Sequence, residues 1–216
     1  MSIGLQEARR EYINPYQAWA IIIAAALIFM AAGTVIGKAF FWKYESGIDN
    51  ALQKQMTVAM DRTKSDPNSA ANWVNLGWVY FQQGQYNQAL AQYKKAMDID
   101  PNYYPAHYNL GLAYMQVKKF DLAAESLKKA ISIERKSGAA YLNLGVSYNQ
   151  LGKYDEAIKY LQQAYKFNPG SVDVLYQIGF AYEKAGRKND AKYQYQAALG
   201  FDPNYKPARE GMARLK

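Results

Sequence analysis

Hydrophobic and polar positions change rhythm once along this chain. From residue 18 to residue 37 the run AWAIIIAAALIFMAAGTVIG holds no charged side chain. Beyond residue 45 the apolar positions fall at three- and four-residue intervals, the period of an amphipathic helix. In the stretch ANWVNLGWVYFQQGQYNQALAQYKKAMDIDPN, Trp73, Leu76, Gly77 and Tyr80 share one helical face. After a break at Gly84, Ala89, Tyr93 and Ala96 share another. Asp100-Pro101 marks the end of this second helix, because the residue before a proline is pushed out of the helical region.

The pattern returns every 34 residues. Gly77, Gly111, Gly145 and Gly179 keep that spacing, as do Tyr80, Tyr114, Tyr148 and Tyr182, and Ala89, Ala123, Ala157 and Ala191. A fourth series is Ala96, Ala130, Ala164 and Ala198. A period of this length means one helix pair used repeatedly, and a single pair cannot bury its own apolar face. Stacking the pairs buries a continuous core and leaves an extended surface, so the expected fold is an all-α solenoid. The small residues let helix backbones approach closely, and the aromatic ones fill the space that remains. Upstream, Ile48, Ala51, Leu52, Met56, Ala59 and Met60 form an apolar stripe. It predicts a capping or linking helix over 45–66 against the open end of the first pair. Downstream, 206–216 carries four basic residues and suits a polar capping helix.

These residues closely resemble the tetratricopeptide repeat, whose pattern is Trp, Leu, Gly and Tyr on one helix, Ala, an aromatic and Ala on the next, then Pro. The first repeat meets it throughout, ending at Pro101. The second has His107, Leu110, Gly111, Tyr114, Ala123, Leu127 and Ala130, with Arg135 at the place of the proline. The third has Tyr141, Leu144, Gly145, Tyr148, Ala157, Leu161, Ala164 and Pro169, and the fourth Leu175, Ile178, Gly179, Tyr182, Ala191, Tyr195, Ala198 and Pro203. The resemblance implies a right-handed superhelix with repeats over 70–103, 104–137, 138–171 and 172–205.

The uncharged run calls for a different surrounding. Twenty helical residues span about 30 Å, the thickness of a bilayer core. Tyr12, Tyr16 and Trp19 lie at one end, and Phe40, Phe41, Trp42 and Tyr44 at the other, as an interfacial belt. The expectation is a short tail over 1–17 and a single-pass anchor over 18–42. A cleaved signal peptide is the rival, but the run exceeds the usual signal core of about 7–15 residues. Arg9 and Arg10 precede the segment; Lys38, Lys43 and Lys54 follow it. An Arg pair on a short tail favours an inside N-terminus, placing the repeats outside the cytoplasm, with the cytoplasmic orientation as the alternative. Gly33 and Gly37 form a G-x-x-x-G pair able to bring two membrane helices together, although lipid-facing small residues give the same pattern.

Charge and chemistry narrow the function. The formal net charge of +8 is mild for 216 residues, and the Lys94-Lys95 and Lys128-Lys129 pairs read as a solvated outer face. Tyrosines that could stack on bases are mostly repeat-core positions, so no nucleic-acid partner is expected. The chain has no cysteine and one histidine, His107, at the place of Trp73 in the preceding repeat. That leaves no metal-ligand set. No phosphate-binding or nucleophile-elbow motif occurs, and neither an enzyme activity nor a cofactor is implied.

The resemblance implies that first helices line a concave groove. The residue before the signature Leu or Ile faces it: Asn75, Asn109, Asn143 and Gln177. Trp78, Leu112, Val146 and Phe180 follow three residues on, and Tyr108 and Tyr176 lie one residue before. Amides donate and accept hydrogen bonds and could hold an extended peptide, although Asn is also common family background here. Some relatives clamp a terminal carboxylate with Lys and Arg; the corresponding positions Ala71, Val74, Asn75, Trp78, Asn109, Ala139 and Asn143 provide no such clamp. The expected function is a membrane-anchored scaffold holding a protein or peptide partner. The layout is similar to that of bacterial anchored relatives that assist cytochrome maturation, secretion, pilus or photosystem assembly. A permanent subunit of a membrane complex, or a self-assembling homo-oligomer, is the alternative.

Overall fold

The computed structural model describes residues 51–215. The expected anchor over 18–42, with Gly33 and Gly37, lies outside the described residues. Among the described residues no helix is long and apolar enough to cross a membrane.

Helix α1 covers residues 51–65. Four pairs follow: α2 (Ala70–Gln82) with α3 (Tyr86–Ile99), α4 (Tyr104–Gln116) with α5 (Phe120–Ile133), α6 (Gly138–Gln150) with α7 (Tyr154–Phe167), and α8 (Val172–Lys184) with α9 (Lys188–Phe201). Helix α10 (Lys206–Arg214) ends the described chain. Each second helix also packs on the first helix of the next pair. The first helices α2, α4, α6, α8 and α10 touch in succession, whereas α3, α5, α7 and α9 do not touch one another. In a curved stack the layer whose members meet is the inner one. The first helices therefore form the concave side.

The repeated small residues set the pair geometry. A Cβ on Gly77 would lie 2.5 Å from Tyr93 Cε1, and one on Gly111 2.7 Å from Leu127 Cγ. On Gly145 it would overlap Leu161, and on Gly179 it would lie 2.7 Å from Tyr195 Cδ1. Ala89, Ala123, Ala157 and Ala191 are fully buried on the facing helices. At the other end of the stack, Met56 and Ala59 of α1 pack against Leu76 and Val79 of α2, with Trp73 and Tyr80 beside them. Ala208 of α10 is fully buried against the last repeat.

Local rules begin and end the helices. Ser69, Ser137 and Ser171 accept from the main-chain N–H groups of Asn72, Ala140 and Val174, capping α2, α6 and α8. At α4 and α10 a proline in the first turn takes that place. The turns inside the pairs all return a main-chain N–H to the signature tyrosine carbonyl: Gln85 to Tyr80, Lys119 to Tyr114, Lys153 to Tyr148 and Arg187 to Tyr182, at 2.8–3.0 Å. Gly84, Gly152 and Gly186 adopt φ of 72°, 72° and 78° there. In the second repeat Lys118 takes that left-handed conformation, φ 58°, and bears the strain of a side chain. Between pairs the missing proline changes nothing. Glu134, before Arg135, has φ −124° and ψ 96°, against −130° and 96° for Asp100 before Pro101.

Candidate partner-binding groove

Helices α2, α4, α6 and α8 each turn three positions of one stripe, at i, i+3 and i+7, onto the concave side. They are Asn75, Trp78 and Gln82; Asn109, Leu112 and Gln116; Asn143, Val146 and Gln150; and Gln177, Phe180 and Lys184. All twelve are exposed or half-buried, so the core does not consume them. Lys184 is the one charged residue among the twelve. An apolar row thus runs between two rows of amides. The second amide row, Gln82, Gln116 and Gln150, keeps the 34-residue spacing and was readable from it.

Trp78 is 40% exposed, unusual for a side chain of that size. Its ring stacks on Phe81 at 5.2 Å between centroids and 9° between planes, and Phe81 meets Tyr86 edge-on at 5.3 Å. Tyr108 and Tyr176, half-buried, sit deeper in the same face. Tyr108 stacks on Tyr104 at 5.7 Å, and Tyr176 lies 6.3 Å from Phe180.

The first amide row divides in two. Asn75 and Asn109 make no side-chain hydrogen bond among the described residues. Asn143 Nδ2 donates to Tyr108 Oη at 3.2 Å, joining the second repeat to the third. Burial raises the Tyr108 phenol above its ordinary range, and the bond from Asn143 opposes that rise. Asn149, a buried residue, donates through Nδ2 to both the side-chain and the main-chain oxygen of Gln177 at 3.1 Å, joining the third repeat to the fourth. Asn143 and Gln177 therefore rivet neighbouring repeats, whereas Asn75 and Asn109 make no such tie among the described residues. Which amide is tied depends on Tyr108 and Asn149, whose reach across a seam no single-repeat pattern encodes.

The far end of the groove closes on itself. Arg214 of α10 donates through Nε to Glu183 Oε1 at 2.9 Å and through Nη2 to Oε2 at 3.0 Å. Tyr195 Oη donates to the same Oε2 at 2.7 Å. Burial pushes the Glu183 carboxyl upward, but the bonds from Arg214 and Tyr195, with the charges of Arg214 and Lys184, outweigh it and hold the group below its ordinary range. The Tyr195 phenol is raised well above its own, by burial first and then by its bond to Glu183.

His107 lies outside the groove. Its Nε2 donates to the Pro101 carbonyl at 2.8 Å, because a carbonyl only accepts. Trp73 Nε1 makes the same bond to Pro67 at 2.7 Å one repeat earlier. The two rings share a ring N–H at one place in the repeat, and His107 fastens a turn. Among the described residues no group of three or more His, Cys, Asp or Glu side chains is placed to hold a metal ion.

Three family models match the chain: one described as TPR repeat over residues 77–118, and two described as tetratricopeptide repeat over 108–172 and 148–215. Together they run without a gap over more than half of its length. The chain belongs to the tetratricopeptide repeat family, and its described part is an all-α scaffold of that kind. No curated protein matches it in sequence. Among solved structures, a crystal structure of MamA superposes with a TM-score of 0.67 at 27% identity, covering 72% of this chain and 91% of that one. MamA from Desulfovibrio magneticus RS-1 gives 0.67 at 18%, covering 71% and 87%. YrrB, described as a TPR protein with an unusual peptide-binding site, gives 0.69 at 21%, covering 76% and 84%. The last two likenesses are of fold alone.

Proposed function

We propose that this chain is a membrane-held adaptor that takes a polypeptide partner on its concave side and serves the assembly of a membrane or exported complex. The carrying observation is the composition of that side: amides flanking an apolar row, with Lys184 the single charge among twelve positions. Amides supply both halves of a hydrogen bond to a main chain, and the apolar row supplies area. YrrB, with the same fold, has a peptide-binding site, which supports the reading at the level of the fold. The uncharged run over 18–37 supports the anchor, and the Arg9-Arg10 pair before it supports an external domain.

Two experiments test this. Full-length chain solubilised in mild detergent is used to capture and identify co-purifying protein. Asn75→Ala with Asn109→Ala should weaken capture of that protein roughly 5- to 150-fold, at about 0.5–1.5 kcal/mol for each lost hydrogen bond. Lys94→Glu with Lys95→Glu is the outer-face control. If the control abolishes capture and the amide variant binds normally, the partner uses the outer face. For topology, protease added to cells stripped of their outer barriers should degrade the repeats while the membrane is intact. Protection until lysis would place the repeats in the cytoplasm.

A further inference from the structure

The outer side is furrowed, because α3, α5, α7 and α9 do not touch one another. The furrow between α5 and α7 holds an open cavity of about 440 Å³, floored by Ile131 and Leu144 and walled by Tyr141 and Tyr160. Lys128 and Arg135 stand exposed on its rim. One repeat earlier a similar space, of about 370 Å³, has Glu125 beside Lys94 and Lys129. Among the described residues no carboxylate lines the later cavity, and neither Lys128 nor Arg135 forms an ion pair. Lys128 rests over the Tyr148 ring at 5.3 Å, and Glu156 acts on it only through space.

Three departures from the repeat pattern meet at this cavity. Arg135 stands where the other repeats have Pro101, Pro169 and Pro203, although the turn keeps the backbone of its proline-bearing counterpart. Tyr160 stands where the other repeats have Gln92, Ser126 and Gln194, so the fold does not call for a ring there. Tyr141 stands where Trp73 and His107 donate a ring N–H to the Pro67 and Pro101 carbonyls. A phenol has no ring N–H, and the corresponding carbonyl here belongs to Arg135. Tyr141 and Arg135 together replace a local fastening with a cavity wall and a rim charge. The wall is ordered: Tyr148, Tyr160, Tyr141 and Phe167 follow one another at 5.4, 6.4 and 5.8 Å between ring centroids, with 8°, 26° and 18° between planes.

We infer that this cavity is a second docking site, on the side away from the groove, for an acidic segment of a protein partner. One aromatic or leucine side chain enters between Tyr141 and Tyr160 above Leu144, and neighbouring carboxylates meet Lys128 and Arg135. The sign follows from two cations with no counter-charge in the cavity. The open rim suits a side chain presented by a protein, whereas a metabolite is held in a more enclosed space. The site does not depend on the groove reading, and the two can be occupied separately.

A displayed library of random dodecapeptides, selected on the purified full-length chain in detergent, supplies the probe, and labelled synthetic copies of enriched peptides give affinities. The decisive variants carry residues that other repeats already hold at the same positions. Arg135→Pro with Lys128→Gln should weaken binding at least about tenfold, the loss of two charge-assisted contacts. Tyr160→Gln should weaken it about 3- to 10-fold by removing part of the apolar wall. Urea midpoints of these variants should stay near that of the parent chain. The expected peptides place two or more Asp or Glu beside an aromatic residue or leucine, and their affinity should fall at least about threefold as added salt screens the charges. Asn75→Ala with Asn109→Ala should leave it unchanged. Acidic peptides that bind all these variants normally overturn the site, as does enrichment of neutral peptides alone. Loss of binding in Lys94→Glu with Lys95→Glu but not in Tyr160→Gln assigns the attraction to diffuse charge and overturns it too. Binding lost only in the Asn75 and Asn109 variant overturns this site and leaves the groove reading standing.

Discussion

The first and fourth repeats place the same tyrosine against the same glycine and differ in what surrounds its hydroxyl. At the fourth, a carboxylate, a guanidinium and a phenol satisfy one another, and α10 is fastened by them. At the first, apolar side chains occupy the corresponding positions. The amide row follows the same gradient, tied at Asn143 and Gln177 and, among the described residues, untied at Asn75 and Asn109. One backbone plan thus serves two purposes. Toward the C-terminal end, polar side chains hold repeats together; toward the N-terminal end, the same positions make no such ties among the described residues. The common core permits this, because Gly, Ala and the large residue facing them set the helix spacing without help from the groove.

The largest break in this contrast should come from Glu183→Ala. It strands the Tyr195 hydroxyl and releases Arg214. Because the Arg214 side chain is 44% exposed, its share is discounted. The expected loss is about 2–3 kcal/mol, read as faster hydrogen exchange in α8 and α10 with little change in α2. Acid should produce a graded version of the same effect. The Glu183 carboxyl is held below its ordinary range in the fold, so its contribution is fully present above an unfolded carboxylate value of about 4.3 and is lost as pH falls through the lower, folded one. Glu183→Gln should remove that acid-sensitive step from α10 exchange; a step unchanged in the variant would assign it to another group.

The tyrosines should then respond with opposite signs. Tyr195→Phe deletes a bond to a carboxylate and should cost about 1.5 kcal/mol, whereas Tyr93→Phe removes a buried hydroxyl that has no hydrogen-bond partner among the described residues and should gain up to about 1 kcal/mol. Urea unfolding of both variants decides it, and equal losses would erase the distinction between the two ends. Smallest is the contrast within the amide row. Asn143→Ala should cost about 0.5–1.5 kcal/mol through its bond to Tyr108. Asn109→Ala should stay within about 0.5 kcal/mol.

Much of the architecture was legible because packing fixes it. The glycine, tyrosine and alanine series recur at fixed spacing since each must fit a facing residue, and Gly145 against Leu161 leaves no room for a side chain. The groove was legible only as a row. Asn75 and Asn143 look alike in sequence, and the tyrosine that ties Asn143 belongs to the preceding repeat. Lys118 masks its turn, because a side chain there tolerates a conformation that glycine advertises in the other three repeats. At Trp73 and His107 the shared requirement is a ring N–H, which residue type alone conceals. The expected anchor rests on unbroken apolar length over 18–37 alone and lies outside the described residues.

Those two ring donors bear on how the chain is made. Each reaches back only six residues, from Trp73 to the Pro67 carbonyl and from His107 to the Pro101 carbonyl. A fastening so local needs nothing that has yet to be synthesised beyond its own turn. During translation the entry to each of these repeats can close as soon as its first helix begins, giving the next helix pair a finished surface on which to add. Such short-range closure favours fast, sequential growth from the N-terminal side.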